Sequence, residues 1–545
     1  MNRKTRYAGM AVVVVLLAAL AFQARMRANS DAVHSAVAAV PLYDDLGTFH
    51  REISTSDAMA QQYFDQGLRL TYAFNHAEAI RAFEAAALLD PDCAMCYWGI
   101  AYAYGPNINV PMDSASGVLA WDALQRAQAT LRYSSDVERA LITALAARYE
   151  PVPGVDRSQL DGAYASAMND VRRQFPDDHD VLTLRAEALM NLSPWDYWTK
   201  EGAPRAGTGE LVADLERVVR EDPNHPGACH YYIHAVEAVH PERAVACAER
   251  LASLMPGAGH LVHMPAHIYI RVGRWADAIA ANEHAVHADE TYIADQRPGG
   301  VYPLAYYPHN YHFLSFAAAM AGRSEQAIRA ARSVAEHVSA DVARAVPPLE
   351  PLLAYPHLTL VTFGRWDELL AEPQPPSDLR FATAMTRYAR GVALAASGEM
   401  ATARLALDTV RTIAAARTDD LSRAVLDIAG HALAGEIAMR SGNAVAAETH
   451  FRAAIRIEDG LLYMEPPHWY YPIRHSAGAA LLAQGRAADA EAMYRQDLVR
   501  FPENVWSLYG LAASLRAQGR AADADELEQK ARAAGADVQL TGSRF

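Results

Sequence analysis

Apolar and small residues recur at spacings of three and four along most of the chain, in helix-length stretches separated by short breaks of glycine or polar residues. This spacing puts them on one face of an α-helix rather than on one face of a strand. Residues 57–75 and 76–89 illustrate the pattern, because two amphipathic stretches, the second reading HAEAIRAFEAAALL, are closed by Asp90-Pro91. The pattern predicts an all-α protein built from consecutive helix pairs.

A glycine opens the second stretch of most later pairs, as in GRWADAIAANEHAVHAD at 273–289 and GRAADAEAMYRQDLVRFP at 485–502. Glycine in this place favours a helix end, since it readily adopts the left-handed conformation that closes a helix. The stretch that follows each glycine carries small and aromatic residues at fixed offsets. The glycines with this role are Gly273, Gly322, Gly364, Gly442, Gly485 and Gly519.

A helix–turn–helix unit of about 34 residues, with small residues at its contacts and proline at its end, is typical of tetratricopeptide repeats. The matching residues are Gly67, Ala79, Phe83, Ala86 and Pro91 in the first repeat and Gly478, Ala490, Tyr494 and Pro502 near the end. The sequence therefore resembles the tetratricopeptide repeat (TPR) superfamily, and is similar to a group of uncharacterised exported bacterial TPR proteins. The resemblance implies a right-handed superhelical solenoid of N-terminal repeats (57–225), central histidine-rich repeats (226–376) and C-terminal repeats (377–545).

Three breaks between predicted helices are long and rich in glycine, proline and aromatic residues: 105–112, 191–209 and 295–307. Bare linkers rarely carry this much tryptophan and tyrosine. Two interpretations are open: these insertions fold over the groove of the solenoid as lids, or they are surface loops that pack their own aromatic side chains.

The N-terminus has a different composition from the rest. Arg3, Lys4 and Arg6 precede an uncharged apolar run at 8–22. A basic start followed by such a run is typical of a secretory signal peptide or a short membrane anchor, here within residues 1–30, with a linker at 31–56. We therefore expect a periplasmic or other extracytoplasmic protein, anchored to the inner membrane if the segment is not cleaved.

The charge balance bears on the partners. The net charge is −15, and the first 30 residues hold five basic and no acidic side chains, so the remainder is still more acidic. Nucleic-acid binding requires a basic surface, and this composition argues against it.

Many of the 21 histidines share one register of the predicted repeats. In the TPR family, positions two, five, nine and twelve of the first helix line the concave groove, and the glycine that opens the second helix occupies position fifteen. Counting back from each glycine, or from His240 where the glycine is missing, gives the groove positions; for the first repeats, Trp98-Gly99 is aligned with positions seven and eight of the family consensus. They hold Cys93, Cys96, His230, His234, Glu237, His260, His263, His267, His309, His312 and His475.

Imidazole is a good ligand for copper, zinc, iron and nickel, and two histidines four residues apart on one helix can bind a single ion. His230/His234 and His263/His267 are two such pairs on adjacent first helices. Pro265 leaves open whether His263 lies on the helix or just before it. We expect a transition metal, with copper favoured and iron or zinc as alternatives. The expected ligands are His230, His234, His263, His267, His309 and His312, with His260, His475, Cys93 and Cys96 as additional candidates.

The four cysteines are too few for a disulfide framework in a chain this long. The residue directly after Cys96 is not a histidine, so haem attachment is excluded. The sequence has no second CxxC motif, so a four-cysteine zinc site is excluded as well. A structural disulfide, two core thiols and copper binding with Met95 remain open. Cys229 is expected in the core.

Two classes of function follow from these patterns. The first is an exported TPR metalloprotein, acting on a small molecule as a metal-dependent oxidoreductase or, second, a hydrolase, with Glu237 as the catalytic base or a ligand. The alternative is an extracytoplasmic TPR scaffold that binds a protein or peptide without catalysis. A third option is metal-independent acid–base catalysis by histidine. It is the weakest of the three, because no catalytic motif such as GxSxG supports it, and the HExxH spacing is absent too.

Overall fold

Helices dominate the computed structural model, which describes residues 36–151 and 156–534. In those ranges the β pairing is confined to one isolated bridge between Trp198 and Pro204. The all-α repeat architecture expected from the apolar periodicity is therefore confirmed. The chain forms two compact units, residues 1–192 and 193–545. The expected signal peptide or anchor at 1–30 lies outside the described residues.

The first unit is a series of helix pairs with a short 3₁₀ turn before and after the fifth helix. Its helices are α1 (Ala58–Tyr72), α2 (His76–Leu89), α3 (Ala94–Ala103), α4 (Ser114–Ala129), α5 (Asp136–Leu145), α6 (Arg157–Gln174) and α7 (His179–Met190), and its 3₁₀ turns are Leu131–Tyr133 and Ala146–Arg148.

The second unit continues the same pattern and contains all the histidines that are predicted to bind a metal. The two candidate cysteines, Cys93 and Cys96, lie in the first unit. The helices of the second unit up to the last of the predicted histidine-rich repeats are α8 (Thr208–Glu221), α9 (Pro226–Val236), α10 (Val245–Leu254), α11 (Gly259–His263), α12 (Pro265–Arg271), α13 (Trp275–Gln296), α14 (Tyr307–Met320), α15 (Ser324–His337), α16 (Ala340–Ala345), α17 (Tyr355–Phe363) and α18 (Trp366–Ala371). The remaining helices are α19 (Arg380–Ala396), α20 (Met400–Ala415), α21 (Asp420–Arg440), α22 (Ala444–Glu458), α23 (Arg474–Ala483), α24 (Ala487–Arg500), α25 (Val505–Ala517) and α26 (Ala521–Ala533), with 3₁₀ segments at Pro241–Ala244 and Pro347–Ala354 and a π-helical turn at Tyr302–Tyr306.

The repeat contacts predicted from the consensus residues are present. Phe83 is fully buried, and a Cβ added at Gly67 or Gly99 would lie 2.6 or 2.5 Å from its ring. Tyr494 fills the equivalent space between Gly478 and Gly510. The large aromatic of the second helix thus needs glycine on the helices at either side, and truncating Phe83 to alanine would cost roughly 3–5 kcal/mol.

The register glycines also behave as expected. Gly273 and Gly322 have φ values of +80° and +74° and follow the ends of α12 and α14. This left-handed conformation ends the first helix and lets the second begin within a few residues. The register on which the histidine positions were counted is therefore the register of the folded chain.

The predicted repeat boundary at 225/226 lies within the second unit. A break at 225/226 falls between α8 and α9, which pack together in the second unit. The insertion at 193–207 belongs to the same unit, because the Trp198 indole N–H donates to the carbonyl of Ala235 on α9 at 2.7 Å. Among the described residues, none of the helices combines the length and apolar character needed to cross a membrane.

Candidate metal centre

Helix α9 carries the first two candidate ligands. Pro226 occupies its first turn, and the His225 ring accepts a hydrogen bond from the Ala228 N–H at 3.1 Å, which caps the helix. The four-residue spacing then sets His230 and His234 on one face, with ring centroids 4.9 Å apart. Both side chains are almost completely buried.

The next first helix is divided at Pro265, which resolves the question raised by its sequence. α11 ends at His263 and α12 begins at Pro265, so His260 and His263 lie on a short helix of their own. The break does not separate the rings, since those of His263 and His267 are 4.8 Å apart.

Gly259 opens α11 for a steric reason. A Cβ at this position would lie 2.0 Å from Oδ1 of Asp289, a buried carboxylate on α13. Tyr302 donates its hydroxyl hydrogen to Asp289 at 2.8 Å and accepts a hydrogen bond from the His260 backbone N–H at 3.1 Å. The start of α11, and with it His260, is thereby held against α13 and the π-helical turn.

Six histidines converge in two groups of three. In each group the nearest ligand atoms lie within 4.8 Å of one another. We call His230, His234 and His260 the first triad, and His263, His267 and His309, which comes from α14, the second triad. The triads adjoin, because the rings of His234 and His267 are 5.5 Å apart and those of His260 and His263 are 6.0 Å apart.

Hydrogen bonds define the ring orientation of His263. The Asn282 amide donates through Nδ2 to the carbonyl of Ala278 at 2.7 Å, so its Oδ1 faces Nδ1 of His263, also at 2.7 Å. An amide oxygen only accepts, and the hydrogen of His263 is therefore on Nδ1. Its Nε2 carries the lone pair, the form in which imidazole binds a metal.

Glu237 plays the same part for two rings. One carboxylate oxygen lies 2.6 Å from Nδ1 of His267, and the other lies 3.1 Å from Nδ1 of His234. Burial alone would raise the pKa of Glu237, but the attraction and hydrogen bonds of His267 and His234 outweigh it and lower this pKa to about 2. An ionised carboxylate behind a histidine fixes the tautomer with Nδ1–H and directs Nε2 at the ligand.

The consequence is an unusual contact within the second triad. Nε2 of His263 and Nε2 of His267 are 2.9 Å apart. With both Nδ1 atoms engaged as donors, two lone pairs face each other at hydrogen-bond distance. Such an arrangement is repulsive unless a cation, either a metal ion or a proton on one ring, lies between them.

Aromatic side chains enclose the histidines. Phe313 packs against the rings of both His263 and His267 at 4.8 Å. Tyr306 covers His260 at 4.7 Å, and Trp195 covers His234 at 5.0 Å. The covering residues come from α14, from the π-helical turn and from the 193–207 insertion. Two of the three aromatic-rich insertions therefore fold over the histidines, as the lid interpretation predicts.

Enclosure lowers the pKa values of four of these imidazoles. Burial, together with the neighbouring imidazoles, holds the pKa values of His260, His263 and His309 well below the ordinary value. Burial likewise lowers the pKa of His234, against the opposing effect of Glu237. Neutral imidazole is the metal-binding form, so the surroundings favour ligation over protonation at these positions.

Other predicted ligands lie apart from the triads. His312 is near the edge of the second triad, 6.5 Å from His309 by ring centroid, and its ring packs on Tyr355 at 4.2 Å. His475 is in a different part of the second unit, where its Nε2 lies 2.9 Å from a carboxylate oxygen of Asp497. It is a buried hydrogen-bond partner of Asp497 in the core.

The Cys93–Cys96 pair does not serve as a metal site, so the prediction of these two residues as additional ligands is wrong. The two sulfur atoms form a disulfide at the start of α3 in the first unit. A disulfide has no thiolate to donate to a metal. Cys229 is buried as expected, with its Sγ 2.7 Å from that of Cys247.

Sequence reasoning missed the residues that orient the histidines. Asn282 and Asp289 lie on α13, a second helix, whereas the register argument considered first helices alone. One signal was present in the sequence, because both are polar residues at positions on the buried face of α13.

Comparison with known proteins gives a fold likeness without a family. No family model matches the chain, and no curated protein matches it. Among solved structures it is similar to the APC/C hetero-tetramer Cut9–Hcn1, at 12% identity and a TM-score of 0.33 over 90% of this chain and 79% of that chain. It is also similar to the human IFIT1 dimer with m7Gppp-AAAA, at 12% identity and a TM-score of 0.34 over 93% and 95%. At these values the likeness carries no inference about function.

Proposed function

We propose that this protein binds a transition metal ion at the second triad, within its TPR-like helical scaffold. The observation that carries the proposal is the 2.9 Å approach of the two Nε2 atoms of His263 and His267, each with its Nδ1 committed to an acceptor. A metal ion bound at about 2.0–2.1 Å to both nitrogens in a tetrahedral site would hold them about 3.3 Å apart. A separation of a few tenths of an ångström would therefore admit the ion.

A proton is the competing cation, and it accounts for less of the arrangement. An imidazolium at His267, paired with Glu237, would donate to His263 and remove the repulsion. It would give no reason for His309 to be the third member of the group, or for the oxygen of Asn282 to orient His263. Ligation by three imidazoles, each neutral and two of them oriented by an outer acceptor, uses every one of these features.

Copper is the favoured ion. The donors of the triad are all imidazole nitrogens, and divalent copper binds such sites more tightly than the other first-row divalent ions. Three protein ligands leave one coordination position for an exogenous molecule, which is the arrangement of catalytic rather than structural sites. A redox reaction of a small molecule at that position, in an extracytoplasmic compartment, is the activity that we propose. The Cys93–Cys96 disulfide fits an oxidising compartment.

Metal analysis tests the proposal. The full chain, expressed without a polyhistidine tag, would be stripped with a chelator, titrated with copper and separately with zinc, and analysed for bound metal. The test variant replaces His263 and His267 with alanine. The control replaces His284 and His287, two exposed histidines on α13, in the same way. We expect wild type and control to bind alike and the test variant to lose the ion of the second triad.

The proposal fails if wild-type protein takes up less than about a tenth of an equivalent of either metal. It also fails if the test variant retains native helical content and binds as much metal as the control. A stoichiometric protein or peptide partner recovered with wild type and with the test variant alike, together with absent metal, would favour the scaffold alternative.

A further inference from the structure

We infer that the first triad binds a second metal ion, so that the cluster is a two-metal centre with Glu237 as the shared outer carboxylate. This inference rests on the proposed function, because it adds an ion to the one proposed for the second triad. The first triad resembles the second in having three histidines with ligand atoms within 4.8 Å of one another, and here all three are buried and lie on two helices.

The geometry of the first triad fits one ion by itself. The ring of His230 lies 4.9 Å from the ring of His234 and 4.9 Å from that of His260. The rings of His234 and His260 are 6.3 Å apart. The three rings therefore form a compact triangle, with Tyr306 packed against His260 and Trp195 packed against His234.

Glu237 links the triads. A single metal ion would need only one oxygen of Glu237 to orient one of its histidine ligands. Both oxygens of Glu237 contact a histidine, one contacting His234 of the first triad and the other His267 of the second. The three side chains have ligand atoms within 4.8 Å of one another. A single buried carboxylate thus orients one ligand of each ion, and its loss is expected to weaken both sites together.

Charge selects among the ions that the pair can hold. Two divalent ions would bring four positive charges into an enclosed site to which Glu237 supplies a carboxylate. Two monovalent copper ions halve the charge and suit ligation by three nitrogens. The reduced centre is therefore assigned as two Cu(I) ions, one in each triad.

The test is the Cu(I) stoichiometry of the full, untagged chain. Protein would be titrated with Cu(I) without oxygen against a coloured Cu(I) chelator, and native mass spectrometry would count the ions bound. Wild type is expected to bind two. Replacement of His230 and His260 by alanine is expected to leave one, and so is replacement of His263 and His309. The control pair His284 and His287 is expected to leave two.

Glu237→Gln supplies the readout that a merely structural cluster would not give. It is expected to keep two sites while weakening both by about 10- to 100-fold. Native mass spectrometry of the wild type needs no variant, so the count stands even if an alanine variant fails to fold.

The outcomes separate the two proposals. No bound copper overturns both of them. One ion in wild type, lost with the second-triad variant and kept with the first-triad variant, overturns the two-metal inference and leaves the proposed function intact. One ion lost with either variant means a single shared ion, and it also overturns the inference. Weakening of one site alone by Glu237→Gln contradicts the shared role of that carboxylate.

Discussion

Asn282→Leu isolates the contribution of ring orientation to metal binding. Leucine has the same branching as asparagine and is larger, so the substitution removes the acceptor for His263 without leaving a cavity. Both side chains are fully buried, and the lost contact is the 2.7 Å hydrogen bond from Nδ1 of His263. Without it the buried Nδ1–H has no acceptor, and the ring is free to move its hydrogen to Nε2, where it would block the metal.

The magnitude follows from this geometry. Loss of an outer-shell partner lowers metal affinity about 10- to 100-fold, or about 1.4–2.8 kcal/mol of binding free energy. Asn282→Asp keeps an acceptor in the same place, so we expect it to bind metal within a few-fold of wild type. The assay is competition for Cu(I) with a coloured chelator, with thermal unfolding as a check on folding.

The matched control is His284→Ala, an exposed substitution on the same helix. It is expected to leave the affinity unchanged. The reasoning is refuted if folded Asn282→Leu protein binds copper as tightly as wild type. It is refuted equally if Asn282→Asp loses as much affinity as Asn282→Leu, since orientation by an acceptor would then not be the cause.

Three further predictions concern other parts of the second unit. Burial raises the pKa of Glu458 from 4.5 to about 7. Between these two pH values the folded chain holds more protons than the unfolded chain, so the free energy of unfolding falls as the pH rises through this range. Glu458→Gln should therefore gain melting temperature over wild type between about pH 5 and about pH 8. Gly259→Ala brings a Cβ within 2.0 Å of Asp289, and we expect a loss of about 1–3 kcal/mol in unfolding free energy together with weaker copper binding. The Sγ atoms of Cys229 and Cys247 lie 2.7 Å apart, so oxidised glutathione should accept two electrons from the two thiols and leave them joined as a disulfide, detectable by peptide mapping.

Each of these has a control and a contrary result. Glu526→Gln, exposed on α26, should show no pH-dependent gain, and an equal gain there would contradict the reasoning for Glu458. Gly209→Ala has open space around its added Cβ, and it should cost no stability. If Gly259→Ala proves equally neutral, the clash is not real. For the cysteines, tryptic peptides 221–243 and 244–250 should be joined before reduction; their separate recovery, fully alkylated, would contradict the prediction.

Local patterns predicted the helices and the repeat register well, because both depend on interactions within a few residues. The stretch 76–89 is the helix His76–Leu89, and Gly273 closes α12 in the left-handed conformation that the register required. Phe83 packs between the small residues that the consensus pairs with it. These features follow from spacing, chain reversal and side-chain size.

The register also grouped histidines that lie close together in the structure, but it could not tell which of them share a neighbour. His475 was predicted at the same repeat position as His263, yet its ring contacts Asp497 in the core rather than another imidazole. Which carboxylate or amide contacts a ring depends on the rotation of the next helix. The spacing of residues on the first helix contains no information about that rotation. For the same reason the sequence does not single out Asn282, and it predicts Glu237 as a catalytic base or a ligand without showing that both of its oxygens contact histidines.

Burial of the cluster was the second feature beyond reach of local patterns. A groove lined by histidines suggests an open surface, whereas His263 is fully buried beneath Phe313 and Tyr306 covers His260. Two of the covering residues, Tyr306 and Trp195, come from insertions outside the repeat unit, and the TPR consensus says nothing about where such segments fold. The aromatic content of the insertions was the one clue.

The most direct test of the central claim is an anomalous difference map, recorded at the copper edge, from crystals of the copper-loaded, untagged full chain. The account predicts a peak about 2 Å from the Nε2 atoms of His263 and His267 and within bonding reach of His309, with a second peak in the first triad. Copper peaks confined to exposed residues such as His284, with none inside the histidine cluster, would contradict it.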